Sequence, residues 1–306
     1  MRWTAVVNPS AGRGRTRKLL PRLTDAFERV DVDVSVSTDF DDARATARRA
    51  FDAGHGVVAC GGDGTVSELA GLAAETGGVL AMVPTGAGND FARHLGLDLR
   101  RPLEAVRLLE TGRLGSVDLG RAEAGGTTAW FASVANTGFD SEANRWANGV
   151  RWVGGTALYV LAVMRTLVTY RPHRFRLTVD GAIRDMEAWL LAVGNARCYA
   201  GGMKITPGAE LDDGQLDVCV VGPVSRLEFL RSFPKVFRGT HVAHPAVVML
   251  RGREVSIESL DPRLPIELYG SGERIGRLPA RLEAVPGAVR VMVPQTAPVP
   301  RAAAAP

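Results

Sequence analysis

Short apolar runs alternate with helix-spaced runs over about the first 120 residues. Ala5-Val6-Val7 reads as a strand, a turn follows, and apolar positions at helical spacing predict a helix from about Arg17 to Val30. Val32–Val36 alternates as a strand does, and Asp42–Asp52 reads as a helix closed by Gly54. Val57–Cys60 is a continuous apolar strand, Val66–Glu75 a helix, Val79–Val83 a strand and Leu103–Thr111 a helix. Alternation of this kind predicts an α/β domain, a parallel sheet covered by helices.

From about Trp130 the pattern changes. A helical region, Ser141–Tyr170, precedes strand-like runs at Phe175–Val179, Ala188–Val193, Leu216–Val221, Val247–Leu250, Glu254–Glu258, Ile266–Tyr269 and Ala288–Val293. Gly, Pro and Asp turns separate them, as in an antiparallel β-sandwich. The change of style puts a boundary near Gly120–Thr128, dividing the chain into residues 1–122, residues 123–295 and a tail from 296 to 306. The tail, rich in Ala and Pro, is expected to be disordered. No internal repeat is visible.

Composition narrows the class. The 306 residues are 46% hydrophobic and 23% charged, a globular balance able to build a sizeable core. Lys and Arg number 37 against 33 Asp and Glu, a net charge of +4 that suits an anionic substrate or a membrane surface. The bases gather at Arg13, Arg15, Arg17, Lys18 and Arg22, and again at Arg93, Arg100, Arg101 and Arg107, where a solvated helical face is the ordinary reading. Cys60, Cys198 and Cys219 are too far apart for a CxxC metal site and odd in number, as in a reducing compartment. Arg2–Val7 runs straight into the Asn8-Pro9-Ser10 turn and does not read as a secretory signal. The most apolar helical stretch, Ala157–Met164, is broken by Arg165 and is too short to span a bilayer.

Three glycine-rich loops carry the chemistry. Val57–Cys60 runs into Gly61-Gly62-Asp63-Gly64-Thr65, and Thr65 and Glu68 stand at capping-box spacing, which predicts a helix start at Thr65. Glycines there admit a ligand close to the backbone, and the free N–H groups of a helix start suit a phosphate. Asn8–Gly14 follows the first strand, and Thr85-Gly86-Ala87-Gly88-Asn89-Asp90 follows Met82-Val83-Pro84. In a parallel sheet all three loops leave the same carboxyl edge, where open α/β sheets bind ligands. None fits GxGxxG with a later acid, and none fits GxxxxGK[ST], so neither a Rossmann nor a Walker site is expected.

NPSAG at Asn8–Gly12, GGDGT at Gly61–Thr65 and GAGNDFAR at Gly86–Arg93 together resemble the bacterial diacylglycerol kinase family, whose superfamily includes sphingosine and ceramide kinases and, more distantly, NAD kinases. The resemblance continues through Val117–Gly120, Asp213–Asp217 and Ser271-Gly272-Glu273, in order along nearly the whole chain. It implies transfer of the γ-phosphate of ATP to a primary lipid hydroxyl, with Mg²⁺ as cofactor. Gly61, Gly62, Asp63, Gly64 and Thr65 would surround the ATP phosphates, with Asp63 catalytic and near a magnesium. Asn8, Arg13, Lys18, Thr38, Gly86 and Ala87 would also bind ATP. Asn89, Asp90, Arg93 and Asp118 would form a supporting polar network. Glu273 would be the general base, and Asp213 by its carboxylate, with Glu210 and Gln215 by their carbonyls, would hold a second Mg²⁺. On its own residues, Gly270-Ser271-Gly272-Glu273 also reads as a hairpin turn.

Three departures stand out. The family usually has Thr at Ala87, Asn at Ser67 and Asp at Ser271; Thr85 is read as a substitute hydroxyl, and Ser67 keeps some hydrogen-bonding capacity. The expected partners are therefore ATP, a lipid such as diacylglycerol and the inner face of the membrane from a cytoplasmic protein. Nucleic acid is not expected, and a homodimer stays open. Trp146, Trp152 and the neighbouring Arg145, Arg151 and Arg165 read as a packed helix or as a membrane-contact element. A kinase for sphingoid or other long-chain alcohols is the rival enzyme; a nucleotide- or lipid-binding protein with weak activity is the rival outside catalysis.

Overall fold

In a computed structural model the chain is described at residues 1–139, 166, 170–261, 265–300 and 302. The helical region expected at 141–170, with its tryptophans, therefore lies almost wholly outside the described residues. The N-terminal elements are β1 (Trp3–Val7), α1 (Ala11–Glu28), β2 (Val32–Val36), α2 (Phe40–Asp52), β3 (Gly56–Gly61), α3 (Asp63–Thr76), β4 (Val79–Pro84) and α4 (Asp90–His94). A 3-10 turn (Pro102–Arg107) and α5 (Leu108–Thr111) divide the helix expected at 103–111. There follow β5 (Arg113–Ala124), β6 (Thr127–Phe131), β7 (Val134–Gly138), β8 (His173–Val179), β9 (Ala182–Ala188), β10 (Leu190–Gly194) and β11 (Leu216–Val221). After α6 (Arg226–Ser232) and two 3-10 turns (Phe233–Arg238 and Thr240–Ala243) come β12 (Val247–Gly252), β13 (Glu254–Ser259), β14 (Glu267–Gly270), β15 (Glu273–Arg277) and β16 (Ala280–Val293).

The first four strands form the expected parallel sheet in the order β2-β1-β3-β4. β3 and β4 are buried along their whole length, so helices must cover both faces. The sheet does not stop there. β16 lies beside β4, parallel at Arg290 and Val291, and continues antiparallel into β13, β8 and β9, with β5 and then β6 paired alongside. Opposite this antiparallel part lies a second sheet, β12-β11-β10-β7-β14-β15. Phe131, Phe175, Leu191, Val218, Ile257 and Leu268 pack between the two as the sandwich core.

Three details differ from the sequence reading. β5 runs unbroken from Arg113 to Ala124, so the start of the boundary expected at 120–128 falls inside one strand. The run read as one strand at 188–193 is two, divided at Trp189, whose N–H donates to the Val221 carbonyl and whose carbonyl accepts from Phe139 N–H. Residues 296–300 of the tail expected to be disordered are packed. Ala297 and Val299 are buried, and the Arg113 guanidinium donates to the carbonyls of Ala297 (2.9 Å) and Val299 (2.6 Å). Arg113 thereby satisfies tail carbonyls left without a backbone donor.

Candidate active site

Strand register brings the three glycine loops together. Val7, the end of β1, is level with Cys60 on β3, and Gly61 is level with Pro84, the end of β4. All three loops thus leave one edge of the parallel sheet. Their backbones are bonded to it: Asn8 N–H donates to the Cys60 carbonyl (2.9 Å), and the N–H groups of Thr85 and Gly86 donate to the Gly61 carbonyl (3.0 and 3.1 Å).

The loops also hold each other. The Asn8 amide donates to the Thr65 hydroxyl at 3.0 Å, joining the first loop to the second. Gly12, Arg13 and Gly14 take left-handed φ values of 58°, 56° and 80°, which curl the first loop against the third. A Cβ on Gly12 would collide with the Thr85 carbonyl, and one on Gly86 with the Gly62 Cα. The second and third loops therefore meet backbone to backbone. Asn89, itself at φ 54°, accepts from Gly86 N–H (2.9 Å) and donates to the Gly86 carbonyl (2.8 Å).

Asp63 is the central clamp. Its carboxylate accepts from the N–H groups of Asn89 (2.7 Å), Asp90 (2.6 Å) and Phe91 (3.4 Å), the start of α4. Burial first, and the Asp90 charge second, push its carboxyl up to about 6 against those three donors. Burial also raises the Asp90 carboxyl. Asp90 accepts from Gly201 N–H at 2.8 Å and lies 3.5 Å from the Arg93 guanidinium, tying the third loop to the second half of the chain. Arg93 in turn donates to the Gly88 carbonyl at 3.3 Å.

Glu273 arrives from the opposite side. Ser271 and Gly272 take φ values of 49° and 90° in the two-residue turn joining β14 to β15, so the hairpin reading of this segment holds. The turn also carries Glu273 to the second loop: a Cβ built on Gly64 would lie 3.3 Å from Glu273 Oε1 and 3.7 Å from the ring of Phe40. Glu273 is exposed there, facing the gap above Gly64.

A cleft of about 370 Å³ opens beside the third loop, lined by Gly86, Ala87, Gly88 and Asn89 together with Arg15, Arg93 and Arg100. Arg15 and Arg100 looked like solvated helix charges in the sequence; only the fold sets them on one cleft. Arg13 and Lys18 are exposed on and just after the first loop. Thr38 is exposed at the start of α2, its N–H bonded to the Asp42 carboxylate at 3.0 Å and its hydroxyl to Asp39 at 3.2 Å.

Three expectations are corrected. The helix after GGDGT starts at Asp63 with Gly62 as its cap, so Thr65 is not an N-cap; its hydroxyl serves Asn8, and Glu68 pairs with Arg44. Thr85 does not offer a substitute hydroxyl to the cleft, since it is fully buried and accepts from Thr16 at 2.6 Å. Asp118 does not hydrogen-bond to Asn89, Asp90 or Arg93; its carboxylate accepts from Gly214 N–H and Gly287 N–H, both at 2.7 Å. Asp118 thereby pins the 210–215 loop.

In that loop Asp213 accepts from Gln215 N–H at 3.0 Å through one oxygen. Its other oxygen is buried without a hydrogen bond, 3.3 Å from Arg251. The Glu210 carboxylate is taken by Arg197. No three His, Cys, Asp or Glu side chains converge on a metal position among the described residues. A hard cation here would need carbonyl oxygens beside the Asp213 carboxylate, a donor set that suits Mg²⁺, and would compete with Arg251 for the buried Asp213 oxygen.

Comparison with known proteins agrees across the chain. The family model of the diacylglycerol kinase catalytic domain matches residues 2–122, and that of the YegS C-terminal NAD kinase beta sandwich-like domain matches 133–293. A diacylglycerol kinase of Mycobacterium tuberculosis is 37% identical over 297 residues, 95% of each chain. One from Bacillus subtilis strain 168 is 26% identical over 299 residues, again 95% of each. The crystal structure of a diacylglycerol kinase from Bacillus anthracis strain Sterne superposes with a TM-score of 0.71 at 23% identity, covering 97% of this chain and 98% of that one.

Proposed function

This chain belongs to the diacylglycerol kinase family of lipid kinases, and on that premise we infer that it transfers the γ-phosphate of ATP to the primary hydroxyl of diacylglycerol or a closely similar lipid. The observation that carries this reading is the placement of the Glu273 carboxylate over Gly64, at the edge where three clamped glycine loops meet. Phosphoryl transfer asks a protein mainly to position the reactants and to stabilise charge on the phosphate oxygens.

In this reading the phosphates of ATP lie along Gly61–Thr65 and Gly86–Gly88. Arg15, Arg93 and Arg100 answer their charge from the cleft wall, and Asn8, Arg13, Lys18 and Thr38 border the nucleotide from the first loop and α2. Asp63 keeps the third loop in place through its three amides. A carboxylate offers about four lone-pair sites, so it retains at most one toward a cation. Mg²⁺, when bound, offsets negative charge on the transferring phosphate; Asp213 would hold a second, structural ion within the 210–215 loop. Glu273 takes the proton of the lipid hydroxyl as it attacks. The lipid enters from the membrane side, where such hydroxyls are presented.

The test is phosphoryl transfer from labelled ATP over a panel of diacylglycerol, ceramide, sphingosine and NAD. Labelled phosphatidic acid, dependent on Mg²⁺, is the expected product. Transfer to sphingosine alone would move the protein to the sphingoid kinases, and transfer to none of the panel would leave a binding protein.

A further inference from the structure

We propose that the segment Arg226–Arg238, formed by α6 and the 3-10 turn after it, is a docking surface for the anionic face of a lipid bilayer. The proposal rests on the reading of the substrate as a membrane lipid only for its biological purpose; the surface itself is argued from its own residues. Among the described residues eight large apolar side chains are more than a third exposed, and three of the eight, Leu227 (56%), Leu230 (37%) and Phe237 (50%), lie in these 13 residues. Such clustering on one element marks an interaction surface, whereas scattered exposed residues need no account.

Helical spacing explains how the segment keeps its outer face apolar without unfolding. Leu227, Leu230 and Arg231 stand at i, i+3 and i+4 on the solvent side of α6. Phe229 and Phe233 turn inward, and their rings stand 5.3 Å from Trp189 and 6.4 Å from each other respectively. They wall an apolar cavity over β10 and β11. The inner aromatic residues anchor the segment, and the outer apolar ones are left exposed by the described residues.

Charge decides the kind of partner. Arg226, Arg231, Lys235 and Arg238 are all exposed, and none pairs with a carboxylate among the described residues. The one acid of the segment, Glu228, is engaged with His244 at 3.1 Å. Exposed apolar side chains flanked by unpaired cations match the boundary between acyl chains and anionic headgroups. A partner protein would need a matching acidic apolar groove, whereas a bilayer offers that complement by default. The surface is also tied to the candidate active site. Lys204 N–H donates to the Val236 carbonyl at 2.9 Å, and three residues earlier Gly201 N–H holds Asp90 in the third loop. Docking through this segment would set the site near the headgroups where a lipid hydroxyl lies.

Co-sedimentation of the full chain with vesicles of phosphatidylglycerol and phosphatidylcholine tests the proposal. The protein should bind mixed vesicles and not pure phosphatidylcholine, and 0.5 M salt (about a twofold shorter screening length than at 0.1 M) should release it. Each cation near an anionic surface is worth about fivefold in partitioning, so replacing all four with Ala should weaken binding by two orders of magnitude or more. Leu227→Ser, Leu230→Ser and Phe237→Ser together should abolish binding at a melting temperature close to wild type. Both variants should phosphorylate a soluble short-chain diacylglycerol as wild type does. Folded variants that still sediment like wild type, or a wild type that ignores anionic vesicles, would overturn the proposal while leaving the kinase reading intact. A wild type that dimerises through this face, with variants becoming monomers and binding vesicles unchanged, would overturn it in favour of a second copy. Vesicle binding lost as expected in a protein that phosphorylates no lipid would keep the surface and remove the kinase reading.

Discussion

The hydroxyl of Ser67, on α3, donates to the hydroxyl of Ser271, in the β14–β15 turn, at 2.7 Å. Two of the three positions at which this chain departs from its family's usual residues are thus direct partners. The two hydroxyls join the first half of the chain to the second. Ser67 also accepts from Ala132 N–H at 3.3 Å, so its oxygen is committed on both sides.

Removing that hydroxyl should cost more than one bond. Ser67→Ala leaves the Ala132 N–H and the Ser271 hydroxyl without their partner, an expected loss of about 1–3 kcal/mol in denaturant unfolding. It should also lower kcat through the turn that carries Glu273, with the KM for ATP little changed. The pair Ser67→Asn and Ser271→Asp should be better tolerated together than the sum of the singles, with a coupling of at least about 0.5 kcal/mol in a double-mutant cycle. Strict additivity would show that the two positions act apart.

Gly86 is an entirely steric case. Its φ is ordinary, but a side chain there would strike the Gly62 Cα, backbone against backbone. Gly86→Ala should separate the second and third loops and weaken ATP binding by tenfold or more in calorimetry. The melting temperature without nucleotide should fall by a few degrees at most, because the sheet below is untouched. Gly64→Ala makes the contrast: its Cβ would press on the flexible Glu273 side chain and only touch the Phe40 ring, so kcat should fall by more than ATP affinity does.

Asp63 links pH to the loops. A carboxyl whose native pKa is above its unfolded value binds its proton more tightly when folded. Native stability from this group is therefore greatest below about pH 4 and declines as pH rises toward about 6. The charged form is nevertheless the one that accepts from three amides, so the ascending limb of kcat/KM for ATP should show an apparent pKa near 6. Asp63→Asn should remove that limb and cut activity, because the amide nitrogen then faces the N–H of Asn89 or Asp90 as donor against donor. An unchanged limb in Asp63→Asn would assign it to another group.

The shared edge of the three loops was legible in the sequence because each apolar strand runs directly into glycines, a local signal. Glu273 was legible as a site candidate only through the resemblance, since by its own neighbours it is a turn residue; the structure shows the turn and sets the Glu273 side chain beside Gly64. The misread helix start has a local cause as well. Thr65 and Glu68 have the spacing of a capping box, but Asn8 and Arg44, from other elements, use those two side chains. Arg15 and Arg100 were hidden because exposed arginines look alike until the fold sets them on one cleft. The return of β16 to β4 and the locking of the tail by Arg113 are long-range pairings with no local periodicity to announce them.

The 210–215 loop carries a metal prediction that needs no activity. One Asp213 oxygen is buried with the Arg251 guanidinium 3.3 Å away and no hydrogen bond, and Asp118 holds the same loop through Gly214 N–H. Millimolar Mg²⁺ should raise the melting temperature of the wild type by linkage and should not raise that of Asp213→Ala. Asp118→Ala should lower stability by about 2–4 kcal/mol, as two buried N–H groups lose a charged acceptor, and should weaken the Mg²⁺ response in the same assay. An equal Mg²⁺ shift in wild type and Asp213→Ala would place the ion elsewhere.

The last prediction separates catalysis by Glu273 from its place in the turn. A primary hydroxyl is a weak nucleophile at neutral pH, and a positioned carboxylate acting as base is typically worth about 10²–10⁴-fold in rate. Glu273 opens β15 directly after the Ser271-Gly272 turn, and its oxygen stands over Gly64 at the meeting point of the two halves. Glu273→Gln keeps the size and polarity of the side chain and removes only its capacity to take a proton. The expected result is a fall in kcat of that order with the KM for ATP and the melting temperature nearly unchanged. Glu273→Asp should recover part of the rate, since it restores the base one methylene short of its position. A Gln variant retaining more than half of wild-type kcat on its best lipid would remove Glu273 as the base. The turn would then matter only for holding Ser271 against Ser67.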